Sequence, residues 1–195
     1  MLARMDAAVL AAMARWPEVP EVYGWLRLTA RGQWHLRGEP IGNRALREFI
    51  GRNYAADARG RWFFQNGPQR AYVSLELAPW VFRVQPDGGL RTHTGHAPQR
   101  LLGAALVDGG RIVLQTELGA GNVDDRDAER LLSALVDEQG RGLGDAALER
   151  VLAGGLPAFV QAARCGLAGP PPMLQRLDSA GLDAVFGFVR EPAAD

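Results

Sequence analysis

Residues 32–84, GQWHLRGEPIGNRALREFIGRNYAADARGRWFFQNGPQRAYVSLELAPWVFRV, pass from strand to helix and back to strand chemistry in one short run. Gln33–Arg37 is β-prone and is broken by Gly38. Asn43 is a good N-cap, because its side-chain oxygen accepts from an N–H that the first helical turn leaves unpaired. The helix it opens carries Leu46, Phe49, Ile50 and then Asn53 or Tyr54 at i, i+3, i+4 and i+7 or i+8. Arg44, Arg47, Glu48 and Arg52 take the outer face. Asn53 therefore falls on or beside the buried edge, where an amide without partners costs about 1–3 kcal/mol. Arg61–Gln65 and Gln69–Leu77 read as a hairpin around Asn66-Gly67. Pro68 has no N–H, so a turn from Gln65 to Pro68 lacks its usual i to i+3 bond. The expectation is a loop wider than two residues, with the amides of Asn66 and Gln69 left for other partners. Pro79 interrupts, and Trp80–Val84 is a further strand.

Upstream, Leu2–Trp16 reads as a helix that stops at Pro17, with Leu2, Met5, Val9, Met13 and Trp16 on one stripe. Asp6 interrupts the apolar stretch after Arg4, which favours an amphipathic docking helix over a signal peptide. Val22–Thr29 is an apolar strand, followed by an Ala30-Arg31-Gly32 turn. Downstream, Leu90–Thr94 returns beside Trp80–Val84 across Asp87-Gly88-Gly89. Leu101–Val107 and Arg111–Glu117 form another hairpin across Asp108-Gly109-Gly110, and consecutive hairpins imply antiparallel pairing. Asp124 caps a third helix with the stripe Ala128, Leu131, Leu132, Leu135 and Val136. Asp145–Leu152 is a fourth helix, Pro157–Arg164 and Met173–Leu177 are strands, and Phe186-Gly187-Phe188-Val189 packs on the core. Both Gly32–Ile41 and Gly110–Leu118 run from strand through turn to a capped helix, an echo that a duplication would produce.

The 195 residues carry zero formal net charge, which argues against a dedicated nucleic-acid or membrane-surface binder. No apolar run approaches the ~20 residues of a membrane span. All 22 basic residues are arginine, so lysine chemistry is excluded, and codon usage accounts for the bias better than selection for guanidinium forks. One cysteine, Cys165, permits no internal disulfide and fits a reducing cytosol. Residues 24–76 hold nine arginines against four acids, and residues 122–150 hold eight acids against four arginines. The two stretches would face each other, or the first would face an anionic ligand.

No recognisable catalytic motif is present. His93 and His96 have a spacing found at metal sites, but no third ligand is readable, and a polar strand end and turn accounts for them. Cys165 has no base nearby and reads as an inert thiol. Gly119-Ala120-Gly121-Asn122 looks like a phosphate loop, yet Asp124, Asp125 and Asp127 would repel an anion, so a capped turn is favoured. Trp25, Trp34, Trp62, Phe63, Phe64 and Trp80 crowd the N-terminal half, and core packing is favoured over a binding cage. The same rings, with Arg52, Gln65, Asn66, Gln69 and Arg70, would otherwise wall a half-polar pocket.

Gly32-Gln33-Trp34, Gly38-Glu39-Pro40-Ile41, the capped helix Asn43–Tyr54, Gly60-Arg61-Trp62 and Pro79-Trp80 together resemble proteobacterial families of unassigned function. One such family shares the Asn-Gly-Pro-Gln-Arg run at 66–70 and the Phe-Gly-Phe-Val at 186–189. A more distant likeness is to a family in which two curved half-barrel sheets enclose a ligand pocket. The resemblance implies an α+β fold and a sensing or binding role, and it supplies no catalytic residues.

The expectation is therefore an α+β protein of curved antiparallel, half-barrel-like sheets with flanking helices. Its halves would be residues 1–86 and 87–195, packed as one compact unit. The leading functional expectation is a cytosolic module that binds or senses a small anionic metabolite. Arg52 and Arg70 would supply charge, Asn66 and Gln69 orientation, and Trp62 and Trp80 apolar walls. No cofactor, metal, nucleic acid or membrane is expected. The alternative is a protein–protein or homo-oligomerisation module, and an enzyme ranks last.

Overall fold

The computed structural model describes residues 5–16 and 19–194. The chain forms two compact units, Met1–Pro79 with Gly187–Asp195, and Trp80–Phe186. The fold is α+β, built on two curved six-stranded sheets, neither of them closed.

The first unit contains α1 (Ala7–Arg15), β1 (Val22–Leu28), β2 (Trp34–Leu36), β3 (Glu39–Pro40), α2 (Arg44–Arg52), β4 (Tyr54–Ala56), β5 (Trp62–Asn66) and β6 (Gln69–Leu75). Its sheet order is β3-β2-β1-β6-β5-β4. Two antiparallel three-stranded runs thus meet at one parallel pair, β1 with β6, registered Val22↔Ala71 and Leu28↔Leu75. The antiparallel expectation holds within each run, whereas the seam is parallel. The expected helical start at Leu2 and stop at Pro17 lie outside the described residues.

Asn43 caps α2 as its chemistry predicts, accepting from the Leu46 N–H at 3.1 Å. At the other end, Asn53 is wholly buried and its amide is fully used. It donates to Phe49 O at 3.0 Å and Asp6 Oδ2 at 3.3 Å, and accepts from the Asp6 N–H at 2.9 Å. One face of the sheet packs Trp34, Tyr54 and Trp62 ring to ring, with Phe49 of α2 edge-on to Phe64. The other face gathers Ala55, Phe63 and Tyr72, with Met5 and Tyr23 against them. Strand alternation explains the division, since Trp62 and Phe63 must point to opposite sides. From the C-terminal tail, Val189 donates to Gly60 O at 2.9 Å, and Arg190 O accepts from Leu75.

The hairpin loop is tighter than expected. Asn66 pairs directly with Gln69, so Gly67-Pro68 forms a two-residue loop. Gly67 takes φ 58°, the glycine-first pattern of a II′ turn. Pro68 occupies the second central position, where no N–H is needed, so its missing donor costs nothing. The wider loop is thereby corrected.

The second unit contains β7 (Trp80–Val84), β8 (Leu90–Thr92), β9 (Leu101–Val107), β10 (Arg111–Thr116), β11 (Gly119–Val123), α3 (Ala128–Leu132), β12 (Leu135–Val136), α4 (Asp145–Leu152), β13 (Phe159–Val160), β14 (Leu174–Arg176) and α5 (Leu182–Phe186). Its sheet runs β14-β9-β10-β11-β7-β8, with β11 parallel to β7 and β14 parallel to β9. The capped turn expected at Gly119–Asn122 is instead the strand β11, lodged between β10 and β7. The third helix is also shorter than its stripe. It ends at Leu132, and Leu135-Val136 pairs with Phe159-Val160, where burial satisfies the same apolar residues in extended form. Of the strand expected over Pro157–Arg164, only Phe159–Val160 is extended, and Ala162–Cys165 is a 3₁₀ turn.

Gly121 explains why β11 is glycine-rich. A Cβ there would overlap the Phe82 ring and stand 2.8 Å from Trp80 Cβ, and both neighbours are buried. Gly121→Ala is therefore expected to lower stability by about 1–3 kcal/mol, measured by denaturant titration. A cost near zero would show that β7 and β11 are not packed at this register.

Candidate functional site

The candidate site lies on the Tyr72 face of the first unit. At the start of β1 and within β6, the sequences Glu21-Val22-Tyr23 and Arg70-Ala71-Tyr72 place one charge and one tyrosine two residues apart, hence on one side of the sheet. The Val22↔Ala71 register sets the two motifs abreast. The Tyr23 and Tyr72 rings stack at 4.7 Å, 2° from parallel.

Their hydroxyls meet a polar network. Tyr23 donates to Glu21 Oε2 at 2.5 Å. The Tyr72 oxygen lies 3.1 Å from Glu21 Oε1, from Asp57 Oδ2 and from Arg61 Nη2. A phenol carries one proton, so Tyr72 donates to one carboxylate at a time and accepts from Arg61. Burial pushes the Tyr72 hydroxyl up to about 12, with Glu21 and Asp57 adding to the rise and Arg70 opposing it. Arg61 also binds Asp57 at 2.7 Å, both side chains being nearly buried, and lies over the Tyr72 ring at 4.6 Å. Burial would raise the Asp57 carboxyl, but the bonds from Arg61 and the Arg59 N–H hold it below the usual carboxylate range.

Beside this network is a recess of about 290 Å³, lined by Met13, Trp16, Val19, Glu21, Gln65, Pro68 and Arg70. The Arg70 guanidinium lies 4.7 Å above the Phe63 ring centroid. Its Nε donates to Gln65 Oε1 at 3.4 Å, and its Nη1 is 3.9 Å from Glu21 Oε1. Gln65 is 1% exposed, and its Nε2 donates to Gly67 O at 3.0 Å. The tight turn therefore fixes Gln65, and Gln65 with Phe63 orients Arg70.

Of the six residues expected to bind ligand, Arg70 alone lines this recess. Gln69 ties β6 to the segment before β1, donating to Pro20 O at 3.2 Å. Asn66 is exposed at the hairpin end. Arg52 is engaged by Asp6 at 3.2 Å, which the guanidinium holds below the usual carboxylate range. Trp62 is buried in the opposite-face core. Trp80 belongs to the second unit, where its indole N–H donates to Leu118 O at 2.7 Å. The site residues that the pocket expectation omitted are Glu21, Met13, Trp16, Val19 and Pro68. The signal for Glu21 was the repeated charge-x-Tyr spacing, which gains meaning only when β1 pairs with β6.

The charged stretches find partners within their own units. Arg44 pairs with Glu48 and Arg61 with Asp57, while Asp124 and Asp127 meet Arg126 and Arg83. Asp124 is fully buried, and its bond from Arg126 holds it down at about 2. A larger hollow of about 500 Å³ lies in the second unit around Leu106, Asp108, Leu152 and Arg176. Two of its charged groups, Arg176 and Asp108, are spent on structure. Arg176 donates to the Val151 and Leu152 carbonyls at 3.2 and 2.8 Å, and Asp108 accepts from the Ser179 N–H at 2.9 Å. That leaves the smaller recess as the better site.

Cys165 is buried, and burial pushes its thiol up to about 11. His93 is half-buried beside Trp80, and its Nδ1 accepts from the Val81 N–H at 3.3 Å. His96 Nδ1 lies 2.8 Å from Thr94 Oγ1. Among the described residues, no group of three or more His, Cys, Asp or Glu side chains is placed to hold a metal ion. No described helix is long and apolar enough to cross a membrane.

Residues 5–193 match the model of the DUF2944 family, described as "Protein of unknown function (DUF2946)", and the chain belongs to that family. No curated protein matches the chain. Among solved structures, it is similar to a DUF1285 family protein from Silicibacter pomeroyi, at 17% identity and a TM-score of 0.48, over 75% of this chain and 94% of that one. A DUF1285 family protein from Shewanella baltica is 19% identical, with a TM-score of 0.40, over 53% of this chain and 86% of that one.

Burial, with a smaller push from His96, takes the His93 imidazole down to about 3 from 6.5. Between those values the unfolded chain binds a proton that the folded chain excludes. Stability should therefore fall as pH drops from about 6.5 towards 3, by up to about 1.4 kcal/mol per pH unit for this one proton. His93→Asn keeps an acceptor for Val81 and should show a shallower slope in denaturant titrations at pH 7, 5.5 and 4.5. An unchanged slope would mean that His93 is not held neutral.

Proposed function

We propose that the first unit is a small-molecule binding or sensing module, and that an anionic group of its ligand is held at the recess by Arg70. The observation that carries this reading is the fixed guanidinium. Arg70 rests on Phe63 and is oriented by the buried Gln65 at the wall of a recess of about 290 Å³. A planar fork held in one geometry recognises a carboxylate or phosphate with little ordering cost. The volume falls just below the ~300–1,000 Å³ usual for ligand pockets, which restricts the ligand to a small metabolite. Trp16, Met13, Val19 and Pro68 provide the apolar part of the wall. The single cysteine supports a cytosolic setting for this role.

The test is a thermal-shift panel of small carboxylates and phosphates against the wild-type chain and Arg70→Ala. At least one compound should stabilise the wild type, by about 2.7 kcal/mol at a hundred times its Kd. Arg70→Ala should melt within a few degrees of wild type and lose that response. An equal response in both proteins, no response in either, or a variant destabilised like a core mutant would overturn the reading.

A further inference from the structure

Resting on that reading, we infer that the ligand is a zwitterion, a small amino acid with an apolar side chain, whose carboxylate meets Arg70 and whose ammonium group meets Glu21. Glu21 lines the same recess as Arg70. The two side chains are comparably open, at 39% and 37% exposure, and their nearest charged atoms are 3.9 Å apart. That separation is within ion-pair distance but too long for a hydrogen bond, so the two form a long, half-exposed pair that a ligand's own charges can replace.

The groups that hold Glu21 orient it without neutralising it. Tyr23 donates to one of its oxygens at 2.5 Å, and the Tyr72 hydroxyl, shared with Asp57, lies 3.1 Å from the other; both are neutral phenols. The nearby cation Arg61 pairs its Nε with Asp57 at 2.7 Å and spends its Nη groups on the two phenol oxygens. On the other side, Arg70 is positioned by a neutral amide and an aromatic ring. One wall of the recess therefore presents a positive and a negative group side by side, each steered by uncharged neighbours.

A ligand with negative charge alone would gain from Arg70 and be repelled by Glu21. An amine alone would meet the reverse. An α-amino acid carries both charges on one carbon and satisfies both groups at once. Its side chain then faces Met13, Trp16, Val19 and Pro68, where an apolar group loses water without leaving a polar atom unpaired.

The test is titration calorimetry of the full chain with two matched series. The first is L-phenylalanine, 3-phenylpropanoate and 2-phenylethylamine; the second is L-leucine, 4-methylpentanoate and 3-methylbutylamine. In at least one series the amino acid should bind ten times or more tighter than either truncated partner. Glu21→Gln keeps an oxygen for the two tyrosines. It should reduce the amino acid to the affinity of its carboxylate-only analogue, while that analogue binds as well as before or better. If the carboxylate-only analogues bind wild type as tightly as the amino acids, and Arg70→Ala weakens both, the zwitterion inference falls and the anion reading stands. If no member of either series binds wild type, the zwitterion inference falls, and the anion reading stands or falls on the thermal-shift panel alone. The wild-type comparison decides the matter even if the variant fails to fold.

Discussion

Strand β1 lies parallel to β6, and the order of the first unit follows from that contact. Without it the unit would be two separate antiparallel runs, each with a long unpaired edge. With it the sheet is continuous, and Glu21 and Tyr23 are delivered beside Arg70 and Tyr72. The register is exacting in a simple way. A slip of one residue would send Tyr23 to the opposite face and place Glu21 away from Arg70. The second unit uses a related device, pairing its first strand β7 parallel with β11 after an antiparallel run.

The polar network on the Tyr72 face has a cost that its geometry offsets. Asp57 and Arg61 are close to buried, and a buried ion pair adds little stability unless its remaining hydrogen-bond capacity is used. Here it is used. Asp57 accepts from the Arg59 and Arg61 N–H groups at 2.9 and 3.0 Å, and Tyr72 closes the arrangement between Asp57, Arg61 and Glu21. The result is a well-bonded floor beside a recess whose own charges, Glu21 and Arg70, form only a long ion pair at 3.9 Å. An ordered floor with a loose pair at the rim suits the proposed binding role, since a floor ordered in advance lowers the cost of holding a ligand.

The Asn66–Gln69 hairpin shows how a correct premise can lead to the wrong loop. Pro68 does lack a donor, and a turn from Gln65 to Pro68 would indeed be open. The chain avoids the difficulty by moving the turn one residue along, so that Gln69 closes it. Asn66 then points outward, while Gln65 is buried and becomes the residue that steadies Arg70. A similar shift affects Gly119–Asn122. Its glycines read as a loop, but Gly121 is small because Phe82 and Trp80 pack against it across a strand pair. In both places the residue types were informative, and only the pairing partner gave them their meaning.

Local chemistry was enough to place the Asn43 cap and α2, the strands β1, β7 and β9 and the helix α4 to within a residue or two, and to mark Asn53 as an amide that must find partners. These depend on contacts a few residues apart, which side-chain periodicity and capping encode directly. The recess did not emerge from such rules. Glu21 and Arg70 are far apart along the chain, and neither carries any sign of the other. Trp62 and Trp80 looked alike as aromatic walls, yet one is buried in the first sheet and the other belongs to the second unit. Parallel pairing joins segments with no connecting turn to announce them, so strand alternation predicts which side chains share a face but not which strand will lie beside them.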